Sequence, residues 1–200
     1  MTLLHDTLPP VPGPTLTPAA RRILDSASEL FYRRGIVSVG MDLVAEHAGT
    51  TKKTIYDRFG SKDGLVVAYL DERARRWQAF VTGRLERSRA TGERRVLVVL
   101  EALEEWLDEA DRGCGFVNAF AELSVSSPAA TRVIRAEKAW TRELYAGLSR
   151  ELGVRDAVAL GRRLTLVHEG ATVELTAGGS TEAIADARAA ARALLRGAGA

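Results

Sequence analysis

Disulfides are excluded at once: Cys114 is the only cysteine, so no intrachain bridge can form and a reducing compartment fits. A buried structural thiol is its plainest reading. Long apolar runs are missing too. The longest candidate, residues 96–100, falls far short of the roughly 18 residues needed to cross a bilayer, so no membrane partner is expected. The opening MTLLHDTLPPVPGPTLT lacks a basic start followed by an apolar core, so no secretory signal is expected, and a cytoplasmic location follows. Excess charge of one sign is also absent. With 28 Lys+Arg against 26 Asp+Glu the net charge is +2, which excludes a histone-like binder but not a local basic patch. There is no P-loop and no dinucleotide fingerprint. The three histidines, His5, His47 and His168, fall in separate segments and do not form a metal set with Cys114. A Cys114–His168 nucleophile pair has no third group to support it. No cofactor, no metal and no enzymatic activity are expected.

What the chain does have is helix-forming material. Ala, Leu, Arg and Glu dominate, 46% of residues are hydrophobic, and no polar–apolar alternation of useful length occurs. An all-α fold of about nine helices is predicted. Four of the six prolines lie between residues 9 and 14, so residues 1–16 are expected to be a disordered tail. Thr17-Pro18 opens the first helix, and Arg33, Arg34 and Gly35 close it. Short helices follow over 41–48 and 51–59. A long one, capped by Ser61, reaches about residue 89 with an apolar stripe of Val66, Leu70, Ala74, Trp77, Val81 and Leu85. Further helices are expected over 94–110, 116–125, 128–152, 156–177 and 181–196, the last capped by Thr181-Glu182. The predicted organisation is the tail, a first helical domain over 17–62, and a second helical domain over 63–200.

The segments 41–48 and 51–59, joined by Gly49-Thr50, read as a helix-turn-helix. Ala45 is small where the helices must cross, and Gly49 frees the turn. Ile55 and Phe59 point inward. Thr51, Lys52, Lys53, Thr54 and Tyr56 then face outward on the half of the second helix that enters the major groove in this motif. Between residues 49 and 62, Lys52, Lys53, Arg58 and Lys62 against Asp57 give a net +3, more than the whole chain's +2. Local basic charge at the motif is what a phosphate-facing surface needs.

The run VAEHAGTTKKTIYDRFGSKDGL, residues 44–65, resembles the TetR family of bacterial one-component regulators, and RRILDSASELFYRRG resembles that family's opening helix. The motif-level resemblance covers residues 18–70. It implies that Tyr56 and Lys62 bind phosphates, and that Thr51, Lys52, Lys53 and Thr54 meet phosphates or base edges, a lysine donating to guanine O6/N7. The chain departs from the family in two places. Val39 and Gly40 stand where a hydroxyl usually precedes the second helix; Ser38 or the backbone N–H of Gly40 are the candidate substitutes. Asp57 follows the tyrosine, where it either accepts from cytosine N4 or pairs with Lys53 or Arg58.

The resemblance also implies that the remainder binds a small molecule and dimerises. Trp77, Phe80, Trp106, Phe116, Phe120, Trp140 and Tyr145 supply aromatic surface, and Asn118, Glu122, His168 and Glu174 supply polar groups among apolar neighbours. The expected ligand-binding set is Trp77, Trp106, Phe116, Asn118, Phe120, Trp140 and His168; core packing is the plain alternative for any one of them. Leu160, Leu164, Val167, Ala171 and Leu175 form one stripe, and Leu166, Gly170 and Val173 another. A helix apolar on two sides is buried on two sides, which argues for a homodimer through the last two helices and hence a palindromic operator in double-stranded DNA. The leading expectation is a repressor released by an unidentified small-molecule effector. The alternative is a DNA-binding regulator whose second domain serves only dimerisation.

Overall fold

A computed structural model describes residues 15–108 and 112–199, and these form nine helices and no strand. The proline-rich stretch up to Pro14 lies outside the described residues. The helices are α1 (Pro18–Arg34), α2 (Met41–His47), α3 (Lys52–Phe59), α4 (Lys62–Ser88), α5 (Glu93–Asp108), α6 (Gly115–Leu123), α7 (Pro128–Glu151), α8 (Ala157–Thr176) and α9 (Ala183–Gly197). No described helix is long and apolar enough to cross a membrane.

Local chemistry sets most of the boundaries. Thr17 accepts the Ala20 N–H at 3.3 Å, and Pro18 takes the first helical position, where its missing N–H is not needed. Gly35 ends α1 at φ 85°, ψ 148°, a conformation that side chains disfavour. Ser61 accepts from Gly64, Ser127 from Ala130 and Asp156 from Ala159, so α4, α7 and α8 each begin on a side-chain cap. The start of α9 differs from expectation. Thr181 does not cap it; Glu182 precedes the helix without a side-chain capping bond. The chain turns there at Gly179 (φ 67°), and the Ser180 N–H is taken by the Glu174 carbonyl at 2.9 Å. Backbone bonds close this turn.

The chain forms two compact units. The first comprises the described residues up to Arg75 with those from Cys114 to Ala136. Its core joins Ile23, Leu24, Ala27 and Phe31 of α1 to Val44 of α2, Ile55 of α3, and Leu65, Tyr69 and Leu70 of α4, with Phe116 and Ala119 of α6. Phe31 meets Tyr69 edge-on at 5.7 Å, a geometry that suits the ring quadrupoles. The second unit comprises residues from Arg76 to Gly113 and from Glu137 on. In it α9 packs on α8 and α5 around Trp77, Val81, Leu100, Leu144, Leu148, Leu160 and Leu164. At Gly161 a Cβ would fall 2.7 Å from the Ala146 backbone nitrogen, so only glycine lets α8 approach α7 this closely.

Candidate nucleic-acid interface

The turn between α2 and α3 is built as the residues require. Gly49 adopts φ 59°, the Thr50 N–H bonds the Ala45 carbonyl at 2.9 Å, and Ala45 is buried at the crossing. Thr51 caps α3, its hydroxyl accepting the Thr54 N–H at 3.2 Å. Ile55 is wholly buried and Phe59 packs partly against the same core. Removing a buried side chain of this size costs about 2–5 kcal/mol, so Ile55 is a firm anchor for so short a helix. With that face fixed, Thr51, Lys52, Lys53, Tyr56, Asp57 and Arg58 are exposed and Thr54 is half-buried. Tyr56 leaves 44% of its surface to solvent, an unusual amount for an aromatic residue.

Three of the cations here, Lys52, Lys53 and Lys62, have partners. Lys52 Nζ lies 3.0 Å from the Asp42 carboxylate of α2, whose hydrogen bond and charge raise the ammonium's pKa. Lys53 Nζ donates to Asp57 at 2.9 Å, one turn along α3. Of the two partners the sequence allowed Asp57, the structure selects Lys53. Lys62, at the start of α4, donates to the Val37 carbonyl at 3.2 Å. Burial pushes the Lys62 pKa down, and the nearby Glu122 carboxylate opposes that shift.

Gly40 precedes α2 at φ −81°, ψ 158° without a side-chain cap. Ser38 does not stand in for the missing hydroxyl. It donates backwards to the Arg34 and Gly35 carbonyls at 2.5 and 3.1 Å, closing the end of α1. A serine hydroxyl bonds readily to a carbonyl four residues back, and here that local bond takes it.

In the second unit, Trp77, Trp106 and His168 come together. Trp77 lies 5.5 Å from Trp106 and 5.9 Å from His168 between ring centroids, and Phe80 adds a ring 5.5 Å from Trp106. Trp140 is half-buried against the same core. Phe116, Asn118 and Phe120 belong to the first unit, where Phe116 is core, Asn118 is half-buried and Phe120 is exposed. Glu122 also belongs there, with its carboxylate on the loop after α1.

Two buried groups of this unit, Tyr145 and Glu137, stand outside the expected ligand-binding set. Tyr145 is fully buried, and its hydroxyl lies 3.1 Å from His168 Nδ1. Burial pushes the His168 pKa down to about 3, with the Lys138 charge adding to the effect, and pushes the Tyr145 phenol up. Both are neutral at pH 7. Glu137 is 4% exposed, takes a hydrogen bond from Thr141 at 3.0 Å and lies 3.4 Å from Lys138, which also bonds Glu169 at 2.8 Å. Burial raises the Glu137 carboxyl. Its signal was present: Glu137 interrupts the stripe that Val133, Trp140, Leu144 and Leu148 continue.

Residues 23–69 match the family described as bacterial regulatory proteins, tetR family. An HTH-type transcriptional regulator of Mycobacterium tuberculosis is 43% identical over 58 residues, 29% of each chain, so the matched segment spans under a third of that relative's length. The HTH-type transcriptional activator FasR of Mycolicibacterium smegmatis is 30% identical over 136 residues, 66% of this chain and 60% of that one. The crystal structure of SCO4454, a TetR-family transcriptional regulator from Streptomyces coelicolor, superposes with a TM-score of 0.81 at 30% identity, covering 91% of this chain and 96% of that one.

Proposed function

The chain belongs to the TetR family and is a DNA-binding, helix-turn-helix transcriptional regulator, and from that premise we propose that it is a homodimeric repressor, released from a palindromic operator by a small molecule. One observation carries the DNA-contact assignment: Ile55 buries one face of α3, which leaves Thr51, Lys52, Lys53 and Tyr56 on the opposite, open face. Thr51–Thr54 meet base edges and phosphates, and Tyr56, Lys62 and the Gly40 N–H meet phosphates. Residues 17–62 serve as the reading head, and the chain from residue 63 serves for dimerisation and effector binding. Leu166 is 73% exposed and Val173 53% exposed, with open space at Gly170 between them on α8, which supports pairing of two copies through α8 and α9.

In this mechanism the phosphate contacts set register and the side chains of α3 choose the sequence. The effector reports through the Trp77, Trp106, Trp140 and His168 neighbourhood, and must bind the DNA-free and DNA-bound states unequally to act at all. The test is selection of bound duplexes from random DNA at about 0.15 M salt. A palindrome is expected, bound about tenfold more weakly by Lys53→Ala and by Tyr56→Ala. Absence of any sequence preference would sink the proposal. A second reading, with no effector, is favoured by the mutual packing of Trp77, Trp106 and His168. Thermal-shift screening separates the two, because a ligand of the folded state raises the melting temperature. The name of FasR supports activation instead; a reporter fused to the selected palindrome gives the sign.

A further inference from the structure

We infer that Glu122 is a positioning residue for DNA binding: its carboxylate and the Lys62 ammonium grip the Val37 backbone from two sides, which holds the loop between α1 and α2 and fixes where Lys62 stands. The inference rests on the reading above that Lys62 meets a phosphate.

The geometry is specific. Glu122 Oε2, on α6, accepts the Val37 N–H at 2.7 Å, across 85 residues of sequence. Lys62 Nζ, on α4, donates to the Val37 carbonyl at 3.2 Å. A Cβ at Gly35 would lie 3.1 Å from Glu122 Oε1 and 3.4 Å from Oε2, so the carboxylate rests directly on the loop where the chain turns at φ 85°. Ile36 and Val39 are buried, but the Val37 side chain is 66% exposed. Apolar burial therefore holds the loop on either side of Val37, and the polar grips hold Val37 itself. An ammonium has three donors. With one N–H directed at Val37, Lys62 keeps two for an incoming phosphate, from a side chain whose direction is already set. A charge-assisted bond to a backbone N–H is among the stronger hydrogen bonds, so its loss leaves the loop with a real deficit.

The sign of the effect separates this role from simple electrostatics. An anion beside a phosphate-binding surface repels DNA, so its removal would tighten binding if charge were all that mattered. The positioning role requires weaker binding. The experiment uses the full chain and a duplex that it selects from random DNA. Affinity is measured by fluorescence anisotropy at a temperature where each variant gives a folded circular-dichroism spectrum, and hydrogen exchange is followed at the Val37 amide. Glu122→Gln keeps the acceptor without the charge; Glu122→Asp keeps the charge but withdraws it by one methylene. The expected result is binding about tenfold weaker and faster Val37 exchange for Glu122→Ala and Glu122→Asp, with Glu122→Gln within about threefold of wild type. Wild-type or tighter binding by a folded Glu122→Ala, or unchanged Val37 exchange, overturns the inference while leaving the parent reading intact. If the wild-type chain selects no duplex at all, the parent reading falls and this one with it.

Discussion

Acidification tests the interior of the second unit. His168 is buried beside Tyr145 and Trp77, and its pKa lies at about 3, against about 6.5 in an unfolded chain. The folded pKa is depressed, so between those values the unfolded chain binds a proton that the folded one refuses. The stabilisation from keeping His168 neutral is complete above pH 6.5 and is lost as the pH falls from there towards 3. At pH 5 the loss spans about 1.5 pH units, or about 2 kcal/mol at 1.36 kcal/mol per unit. In a chain of this length that is a fall of about 4–8 °C in Tm. The comparison is between wild type and His168→Gln, whose amide can still accept from the Tyr145 hydroxyl but does not titrate. Both are melted by circular dichroism at about pH 7.5 and pH 5. Glu137 titrates with the opposite sign, because its raised pKa favours the folded form on acidification, but it is present in both proteins and cancels from the difference. Wild type is expected to lose about 4–8 °C more than the variant. Equal losses would refute the idea that His168 is held neutral.

Two further outcomes are expected. Gly40 has an extended backbone and open space where a side chain would stand, so Gly40→Ser should restore a capping hydroxyl, raise stability by a few tenths of a kcal/mol and tighten binding to a selected duplex; a lower Tm would contradict this. Leu166→Asp places a charge on the open face of α8, and sedimentation should show monomers where wild type gives dimers, with the helical spectrum unchanged.

The helix-turn-helix was legible because its determinants are local. Thr51, Gly49, Gly60 and the burial of Ile55 act within a turn or two of where they stand, and α3 forms where they place it. The partners across the fold were not legible. Lys52 finds Asp42 on another helix, Tyr145 finds His168, and Glu122 finds Val37. Periodicity says which face of a helix is buried, not what meets it. The same limit applies to Phe116, Asn118 and Phe120: periodicity marked their helix as apolar, and only the fold shows that Phe116 packs in the core of the first unit. Ser38 shows a different limit, since a hydroxyl that suits the start of one helix equally suits the end of the one before.

Asp42 and Asp57 give the reading helix something that free lysines lack: tethered counterions. A bare lysine meeting DNA releases small ions from the duplex, and that release makes binding steep in salt. Lys52 and Lys53 each already carry an anion that belongs to the protein, so in the proposed complex each docking step would trade a carboxylate for a phosphate. The carboxylate stays nearby as a built-in competitor. Random duplex, which offers only phosphates, gains least from that exchange, while a site whose base edges also bond to Thr51–Thr54 offsets it. On the proposed reading, the two aspartates would lower indiscriminate affinity and so act as a source of selectivity.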